Sequence, residues 1–333
     1  NKPNVVKCIV LIMLASIMLA SCSAPAAAPT SAPATAVPVP TTSFVYVSPN
    51  PLGVNEFLKL GKTGLEASGK KWNATTKVLE ATDPTSRQEA VQAAVNEGAT
   101  IVVVFGFEFN DIVSKIAATA PTTKFLIVDQ CIDNPAPNVY CAISTEHEAA
   151  FLLGVEAAML TKTSTVGAIG ALDIPFLHRY TDGFAEGAKY INPNIKIDIR
   201  WVGGDNPFSD PVRAKEQALA MASAGVDQIF AAGAGSNLGI FEAAKEKGLN
   251  TYGVDVNQCT SQPGFVVDNL LKHADVEMEQ SIDAIMQKST TQIFVYGLKS
   301  GGIGTIAQIP MPNCRSSGSC HKGERSCPED HQR

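Results

Sequence analysis

The chain has 333 residues, of which 45% are hydrophobic and 17% charged, and its formal net charge is −6. This length suffices for two domains of ordinary size or for one large domain. The negative charge and the lack of a long basic run argue against a nucleic-acid partner.

The N-terminal residues are typical of a segment for export and membrane anchoring. Two lysines precede an apolar run over residues 8–20, which is shorter than the ~20 residues of a membrane-spanning helix and fits a secretory signal. A short membrane-anchoring helix is the alternative. The motif LASC at residues 19–22 resembles the bacterial lipobox, in which the signal is cut before an acylated cysteine. We therefore expect a signal peptide over residues 1–21, lipidation of Cys22, and a position on the extracytoplasmic face of a bacterial cell membrane.

Residues 22–42 form a tract rich in proline and alanine, without charges or hydrophobic periodicity. Such a tract cannot bury enough apolar surface to offset its ordering entropy. Proline keeps it partly extended, at ~3.1 Å per residue. We expect it to be a tether between the lipid anchor and the folded body.

From residue 43 onward, strand-like and helix-like segments alternate, and after about residue 145 the alternation starts again. Continuous Val/Ile runs predict strands covered on both faces, as in a parallel sheet between helices. Two such sets predict an α/β fold with two doubly wound, Rossmann-like lobes. The expected strands are 44–48, 76–82, 100–106, 124–129, 138–144, 165–171, 195–202, 226–232, 250–256, 264–269 and 291–298. The expected helices are 54–69, 85–97, 109–119, 146–161, 178–190, 210–224, 237–247 and 273–288.

Ligands of open α/β sheets bind beyond the carboxyl ends of the strands. Aromatic rings there would sandwich a flat group, and a carboxylate would accept two hydrogen bonds from a vicinal diol. The alternatives are that the phenylalanines belong to the core and that the aspartates cap helices or bind loop amides. The residues that this rule selects are Asn50, Phe57, Phe107, Asp129, Phe208, Gly233 and Asp255.

Three long stretches carry a family resemblance: residues 148–193, residues 210–248 and GVDVNQ at residues 253–258. They resemble the basic membrane protein family of ABC-transporter substrate-binding lipoproteins, the purine nucleoside receptors, over about residues 44–306. The resemblance implies a type I periplasmic-binding-protein fold, in which two lobes joined by a hinge close on one small molecule. It implies a monomeric binding protein without a cofactor, not an enzyme, that delivers a nucleoside-like solute to an ABC permease.

The resemblance also implies roles for single residues. Phe57 and Phe208 match the family's aromatic residues that stack on the base. Asp129 matches a ligand contact at the end of the fourth strand. Asp255 and Lys272 match the residues expected at the ribose hydroxyls.

Backbone near Gly233 would approach the ligand closely.

Two departures from the family pattern stand out. The Asp-Asp…Ser-Phe-Asn signature after the first strand is replaced by NPLGVNEFLK, so that Leu58 stands where the family has Asn. Asn269 stands where the family has Ser, three residues before the lysine. The ribose contacts are therefore expected to be retained and the base contacts altered.

The division of the chain follows from the same resemblance. Lobe 1 is expected over residues 43–144 plus about 258–290. Lobe 2 is expected over residues 145–257 plus about 291–310. Cys131 and Cys141 flank a short loop. The sequence leaves open whether they form a disulfide or remain two buried thiols.

Residues 311–333 do not match the rest of the chain. The spacing C-x5-C-H-x5-C is not a usual zinc pattern, and no metal site is predicted. The tail is either disordered or, as a hypothesis, a frameshift product, because out-of-frame reading with permitted codons can yield a closing helix typical of the family.

The sequence pattern has two rival functional interpretations. GAGSNLG at residues 233–239 follows a strand, but its spacing is one residue too long for a dinucleotide-binding fingerprint. A nucleotide-cofactor enzyme is therefore disfavoured. A ligand-sensing receptor of the same fold, without transport, remains the alternative to a transport function.

Overall fold

The computed structural model describes residues 42–53 and 55–308. The strands are β1 (Ser43–Ser48), β2 (Thr75–Glu80), β3 (Ile101–Phe105), β4 (Lys124–Val128), β5 (Val139–Ser144), β6 (Thr165–Gly170), β7 (Lys196–Trp201), β8 (Gln228–Ala232), β9 (Asn250–Asp255), β10 (Val266–Lys272), β11 (Ile293–Tyr296) and β12 (Ile303–Thr305). The helices are α1 (Glu56–Trp72), α2 (Pro84–Asn96), α3 (Asn110–Thr119), α4 (Glu146–Leu160), α5 (Pro175–Ile191), α6 (Pro211–Ser223), α7 (Asn237–Lys247) and α8 (Ala274–Met286).

The described strands form two six-stranded sheets. Their orders are β11-β5-β4-β3-β1-β2 and β12-β10-β9-β8-β6-β7. All the pairings are parallel except that of β12 with β10. The parallel order within each sheet confirms the predicted α/β fold class with two doubly wound lobes.

The inner strands of each sheet are buried on both faces because their alternating side chains pack into two different cores. In β1, Phe44 and Tyr46 pack into one hydrophobic cluster of the first sheet, and Val45 and Val47 pack into another. Successive side chains of a strand point to opposite faces, so both faces of the sheet need a covering layer. The helices supply those layers, which explains the continuous apolar strands in the sequence.

Helices α4 and α5 approach each other closely through small residues. A Cβ atom added at Gly154 would collide with the carbonyl oxygen of Phe184, and one added at Gly187 would collide with that of Phe151. Glycine is therefore required at both positions by the packing of the two helices. This helix pair covers one face of the second sheet.

Within the described residues the chain crosses between the sheets three times, after β5, after β10 and after β11. The crossings lie side by side, since the His273 amide donates to Gly302 O at 2.9 Å and the Thr145 amide donates to Tyr296 O at 2.8 Å. These three segments form the connection between the lobes and are called the hinge below.

The sheets correct the expected division of the chain at two strands. β10 pairs with β9 in the second sheet, although residues 258–290 were assigned to lobe 1. β11 pairs with β5 in the first sheet, although residues 291–310 were assigned to lobe 2. The cause is that sheet membership depends on pairing between strands distant in sequence, which the local pattern does not specify.

Cys131 and Cys141 form a disulfide, with their Cα atoms 5.3 Å apart. The predicted signal peptide, Cys22, all of the tether but its last residue, and the tail over residues 311–333 lie outside the described residues. In the described part of the chain, every helix is too short or too polar to cross a bilayer.

Candidate functional site

A cavity opens where the carboxyl ends of the strands of both sheets face each other, and we call it the interlobe cavity. Its volume is about 100 Å³, measured as the space open to the centre of a water molecule. Such concave sites between lobes are where small ligands usually bind. The residues that line it are Pro49, Asn50, Asn55, Phe57, Leu58, Phe105, Gly106, Phe107, Glu108, Asp129, Phe176, Leu177, Tyr180, Phe208, Ala232, Ala234, Val254 and Asp255.

The structure brings most of the predicted residues together in this cavity. Asn50, Phe57 and Phe107 line it from the first lobe, with Asp129, whereas Phe208 and Asp255 line it from the second. Phe57 and Phe208 also touch the core of their own lobe, and each is partly exposed. Their roles in binding stay predictions.

Three predicted contacts, Gly233, Asn269 and Lys272, are not among the described residues that line the cavity. The Gly233 amide donates to Asn237 Oδ1 at 2.8 Å, so this N–H is already used inside the lobe. Asn269 is fully buried, and its Oδ1 accepts from the Gln258 amide at 3.0 Å. In this structure Asn269 therefore fixes the loop after β9, and its role in binding stays a prediction.

Several backbone positions in the cavity wall have unusual conformations. Asp129, Ala234 and Asp255 have φ angles of 82°, 50° and 68°, in the left-handed region that side chains disfavour. Such conformations cost free energy and are commonest at functional sites. Here they turn the chain sharply where each strand ends and place the two carboxylates in the cavity wall.

Lys272 is the centre of a buried ionic network at the hinge end of the cavity. Its Nζ donates to Asp129 Oδ1, to Glu146 Oε1 at 2.7 Å and to the Tyr180 hydroxyl at 3.2 Å. Burial opposes the charge of Lys272, yet the carboxylates of Asp129 and Glu146 outweigh it and raise the pKa well above its ordinary value. An ammonium has three N–H donors, so Lys272 has none left for a ribose hydroxyl in this structure.

The same network joins the two lobes. Lys272 ends a strand of the second sheet, whereas Asp129 follows a strand of the first. Arg179 of α5 lies 3.2 Å from Glu146 through its Nε and Oε2 atoms, and it donates to the carbonyl oxygens of Asp129 and Ser144 at 3.4 Å. These contacts hold the two lobes together at the floor of the cavity.

The carboxylate of Asp255 differs from that of Asp129 in having no hydrogen-bond partner among the described residues. Its carboxylate lines the cavity and is partly exposed there. Burial raises the pKa of Asp255 to about 7, against the lowering effect of Lys272 and with a further raising effect of Asp129. A desolvated carboxylate with free acceptors would be stabilised by a ligand that brings hydroxyl or N–H donors.

Sequence reasoning missed the aromatic residues of α5 and the carboxylates around them. Phe176 and Tyr180 line the cavity, and their ring centroids lie 5.4 Å and 5.8 Å from Lys272 Nζ. Glu146 was missed because it starts a helix at the hinge. Phe176 follows the end of β6, so the strand-end rule could have found it if applied to that strand.

The model of one protein family, described as ABC transporter substrate-binding protein PnrA-like (Bmp), matches residues 49–317. The chain belongs to the Bmp family. The resemblance predicted from the sequence is thereby confirmed, and the chain is an ABC transporter substrate-binding protein. Substrate-binding proteins of ABC systems bind small molecules outside the cytoplasm and interact with a permease.

Two Bmp relatives illustrate the similarity. Basic membrane protein A of Borreliella afzelii is 28% identical over 241 residues, which cover 70% of this chain and 73% of that protein. The ABC transporter nucleoside-binding protein BmpA of Lactococcus lactis subsp. cremoris is 31% identical over 232 residues, which cover 63% of this chain and 64% of that protein.

Solved structures support the fold. A solute-binding protein of an ABC transporter system from Aeropyrum pernix superposes with a TM-score of 0.71 at 23% identity, covering 79% of this chain and 76% of that one. The arabinose-binding protein AraP of Geobacillus stearothermophilus superposes with a TM-score of 0.66 at 14% identity, covering 80% of this chain and 97% of that one. At these identities the likeness concerns the fold alone.

Proposed function

We propose that this Bmp protein captures a nucleoside-like solute in the interlobe cavity and delivers it to an ABC permease. The observation that carries the proposal is the convergence of aromatic rings and carboxylates from both lobes on one cavity. The nucleoside-binding relative of Lactococcus lactis supports the choice of ligand.

The chemistry of the cavity suits a flat ligand with a hydroxylated sugar. Phe57 and Phe208 offer ring faces from opposite lobes, on which a base would stack. Asp255 offers two free acceptor oxygens, which match the two donors of a vicinal diol. A ligand that contacts both lobes favours the closed state by as much as it prefers that state.

The charge balance argues against a phosphorylated ligand. The two cations of the network at the hinge end of the cavity, Lys272 and Arg179, already pair with Asp129 and Glu146. Asp255 and Glu108 add further negative charge at the wall. A phosphate would meet repulsion from these carboxylates, and neither Lys272 nor Arg179 is free to compensate it, so we expect nucleosides to bind far better than nucleotides.

The anchoring part of the proposal rests on the sequence. The apolar run and the LASC motif at residues 19–22 support cleavage and lipidation at Cys22. The tract over residues 22–42 would then tether the lobes to the membrane beside the permease. Mass spectrometry of the native protein tests this step, since an unmodified Cys22 would contradict it.

Calorimetry with purified protein and a panel of nucleosides, nucleobases, sugars and nucleotides tests the ligand. Micromolar or tighter binding of a nucleoside, with nucleotides bound at least tenfold more weakly, is the expected result. Phe208→Ala and Asp255→Asn should each weaken binding while the thermal unfolding temperature stays within a few degrees. Asp133→Asn, an exposed change in the loop before β5, is the control and should leave affinity unchanged. A folded protein that binds no nucleoside would refute the proposal.

A further inference from the structure

The strand order arranges the cavity-lining residues at graded distances from the hinge. Asp129 follows β4 and Asp255 ends β9, both close to the strands that lead into the crossings. Glu108 follows β3, one strand further out, and Asn50 follows β1, two strands further out. Neighbouring strands lie ~4.8 Å apart. A ligand whose diol meets the carboxylates near the hinge therefore extends its base toward Glu108 and Asn50.

Three of the six polar side chains that line the cavity already make hydrogen bonds inside the protein. Asn55 Oδ1 accepts from the Leu58 amide and caps α1. Asp129 and Tyr180 are bound to Lys272. These groups cannot form hydrogen bonds to the edge of a base without losing a hydrogen bond inside the protein.

The side chains left for a base edge are those of Asn50 and Glu108, of which Glu108 alone is ionisable. Its carboxylate accepts a hydrogen bond from its own backbone amide and from no other described residue. Burial raises the pKa of Glu108, and the nearby charge of Arg87 lowers it. A half-buried acceptor of this kind is stabilised when a ligand supplies N–H donors.

Gly106 fixes the place of this carboxylate. Both residues line the cavity, and a Cβ atom added at Gly106 would collide with Glu108 Oε2. The φ angle of Gly106 is 93°, a conformation that glycine adopts readily. The missing side chain at position 106 thus leaves the space in the cavity wall that the Glu108 carboxylate occupies.

We propose that Glu108 makes the site selective for a nucleobase whose edge presents two adjacent N–H donors, as guanine does with N1–H and N2–H. This inference rests on the nucleoside function proposed above and adds the class of base. The two carboxylate oxygens would accept the two N–H groups in parallel, in the fork geometry by which a guanidinium binds a carboxylate.

The same geometry discriminates against other purines. Hypoxanthine retains N1–H but lacks the amino group, so it leaves one carboxylate oxygen unpaired. Adenine places the unprotonated N1 lone pair beside its amino group, so one oxygen would face an acceptor. A good bidentate contact of this kind discriminates by ~1–3 kcal/mol, which corresponds to a factor of about 5 to 150 in affinity. The expected order is guanosine, then inosine, then adenosine.

Calorimetric titration of the purified protein with guanosine, inosine, adenosine and 1-methylguanosine measures this order. The N1-methyl group removes one donor and blocks its approach, so 1-methylguanosine should bind at least tenfold more weakly than guanosine. The sugar is the same in all four probes, so the differences report on the base edge.

Glu108→Gln tests the residue itself. The amide keeps the shape of the side chain but replaces one acceptor by a donor, an arrangement that complements adenine. We expect guanosine to bind about tenfold more weakly and the guanosine-to-adenosine preference to shrink or reverse. Glu89→Gln, the same change at an exposed position of α2, is the matched control and should leave the preference intact.

The outcomes separate this inference from the proposed function. If guanosine, inosine and adenosine bind equally, or if Glu108→Gln leaves their ratio unchanged, the assignment of Glu108 is wrong while nucleoside binding stands. If adenosine binds best to the native protein, the assignment is likewise overturned. If no nucleoside binds to correctly folded protein, the proposed function fails and this inference fails with it.

Discussion

Glu277 is a fully buried carboxyl at the hinge, and its ionisation should set part of the pH dependence of stability. One oxygen accepts from the Ser144 hydroxyl at 2.7 Å, whereas Oε2 has no hydrogen-bond partner in the described part of the chain. Burial raises the pKa of Glu277 to about 7, against the lowering effects of Lys272 and Ser144 and with raising effects of Asp129 and Glu146.

The sign and the size of the effect follow from these values. The unfolded chain releases this proton near the ordinary pKa of 4.5, whereas the folded protein holds it up to about pH 7. The contribution of Glu277 to stability is therefore fully present below pH 4.5 and is lost as the pH rises through 7. The loss amounts to about 3 kcal/mol, at 1.36 kcal/mol for each pH unit between the two values.

Glu277→Gln removes the ionisable group and retains an oxygen for Ser144. Urea unfolding of both proteins at a series of pH values between 4.5 and 8.5 measures the difference in free energy. As the pH is raised over this range, the free energy of unfolding of the variant should increase by about 3 kcal/mol relative to that of the native protein. Glu216→Gln, an exposed change on α6, should show no such trend. A Glu277→Gln difference that does not vary with pH would refute the reasoning.

Three further predictions concern the network, the helix packing and the ligand. Lys272→Met should lower the free energy of unfolding by ~3–5 kcal/mol, because it leaves the buried carboxylates of Asp129 and Glu146 without their cationic partner. Chemical denaturation measures this change, and a loss below 1 kcal/mol would contradict the prediction. Gly187→Ala should cost ~1–3 kcal/mol through the collision between α4 and α5, seen as a lower thermal midpoint; an unchanged midpoint would show that the helices can separate freely. Because the pKa of Asp255 is about 7, nucleoside affinity should fall about 30-fold between pH 8 and pH 5.5 as the carboxylate is protonated, and Asp255→Asn should remove this pH dependence in calorimetry.

Most of the fold could be predicted from the sequence because its signal is local. The runs IVVVF and KFLIV are apolar on both faces, and such strands need helices on both sides of the sheet. The assignment of β10 and β11 to lobes failed because the local pattern of a strand does not specify its partner. A family resemblance gives the fold but does not locate the crossings by itself.

Site residues could be predicted from the sequence where they directly follow a strand. They could not be predicted where the site depends on contacts between residues distant in the sequence. Asp129 and Asp255 were found because each ends a strand. The pairing of Asp129 with Lys272 joins residues 143 positions apart and depends on the approach of two lobes. Glu108 carried no signal of its own, since an isolated glutamate after a strand is usually a solvated surface residue. The role proposed for Glu108 depends on the structure, which places it beside Gly106 in the wall of the cavity.

The disulfide between Cys131 and Cys141 begins two residues after Asp129, so it ties the loop that carries this carboxylate to strand β5. Formation of that covalent bond requires an oxidising compartment. Protein recovered from a reducing bacterial cytoplasm and protein exported before purification are therefore chemically different materials at one wall of the cavity. Affinities measured on the two preparations should be compared only after the thiols have been counted.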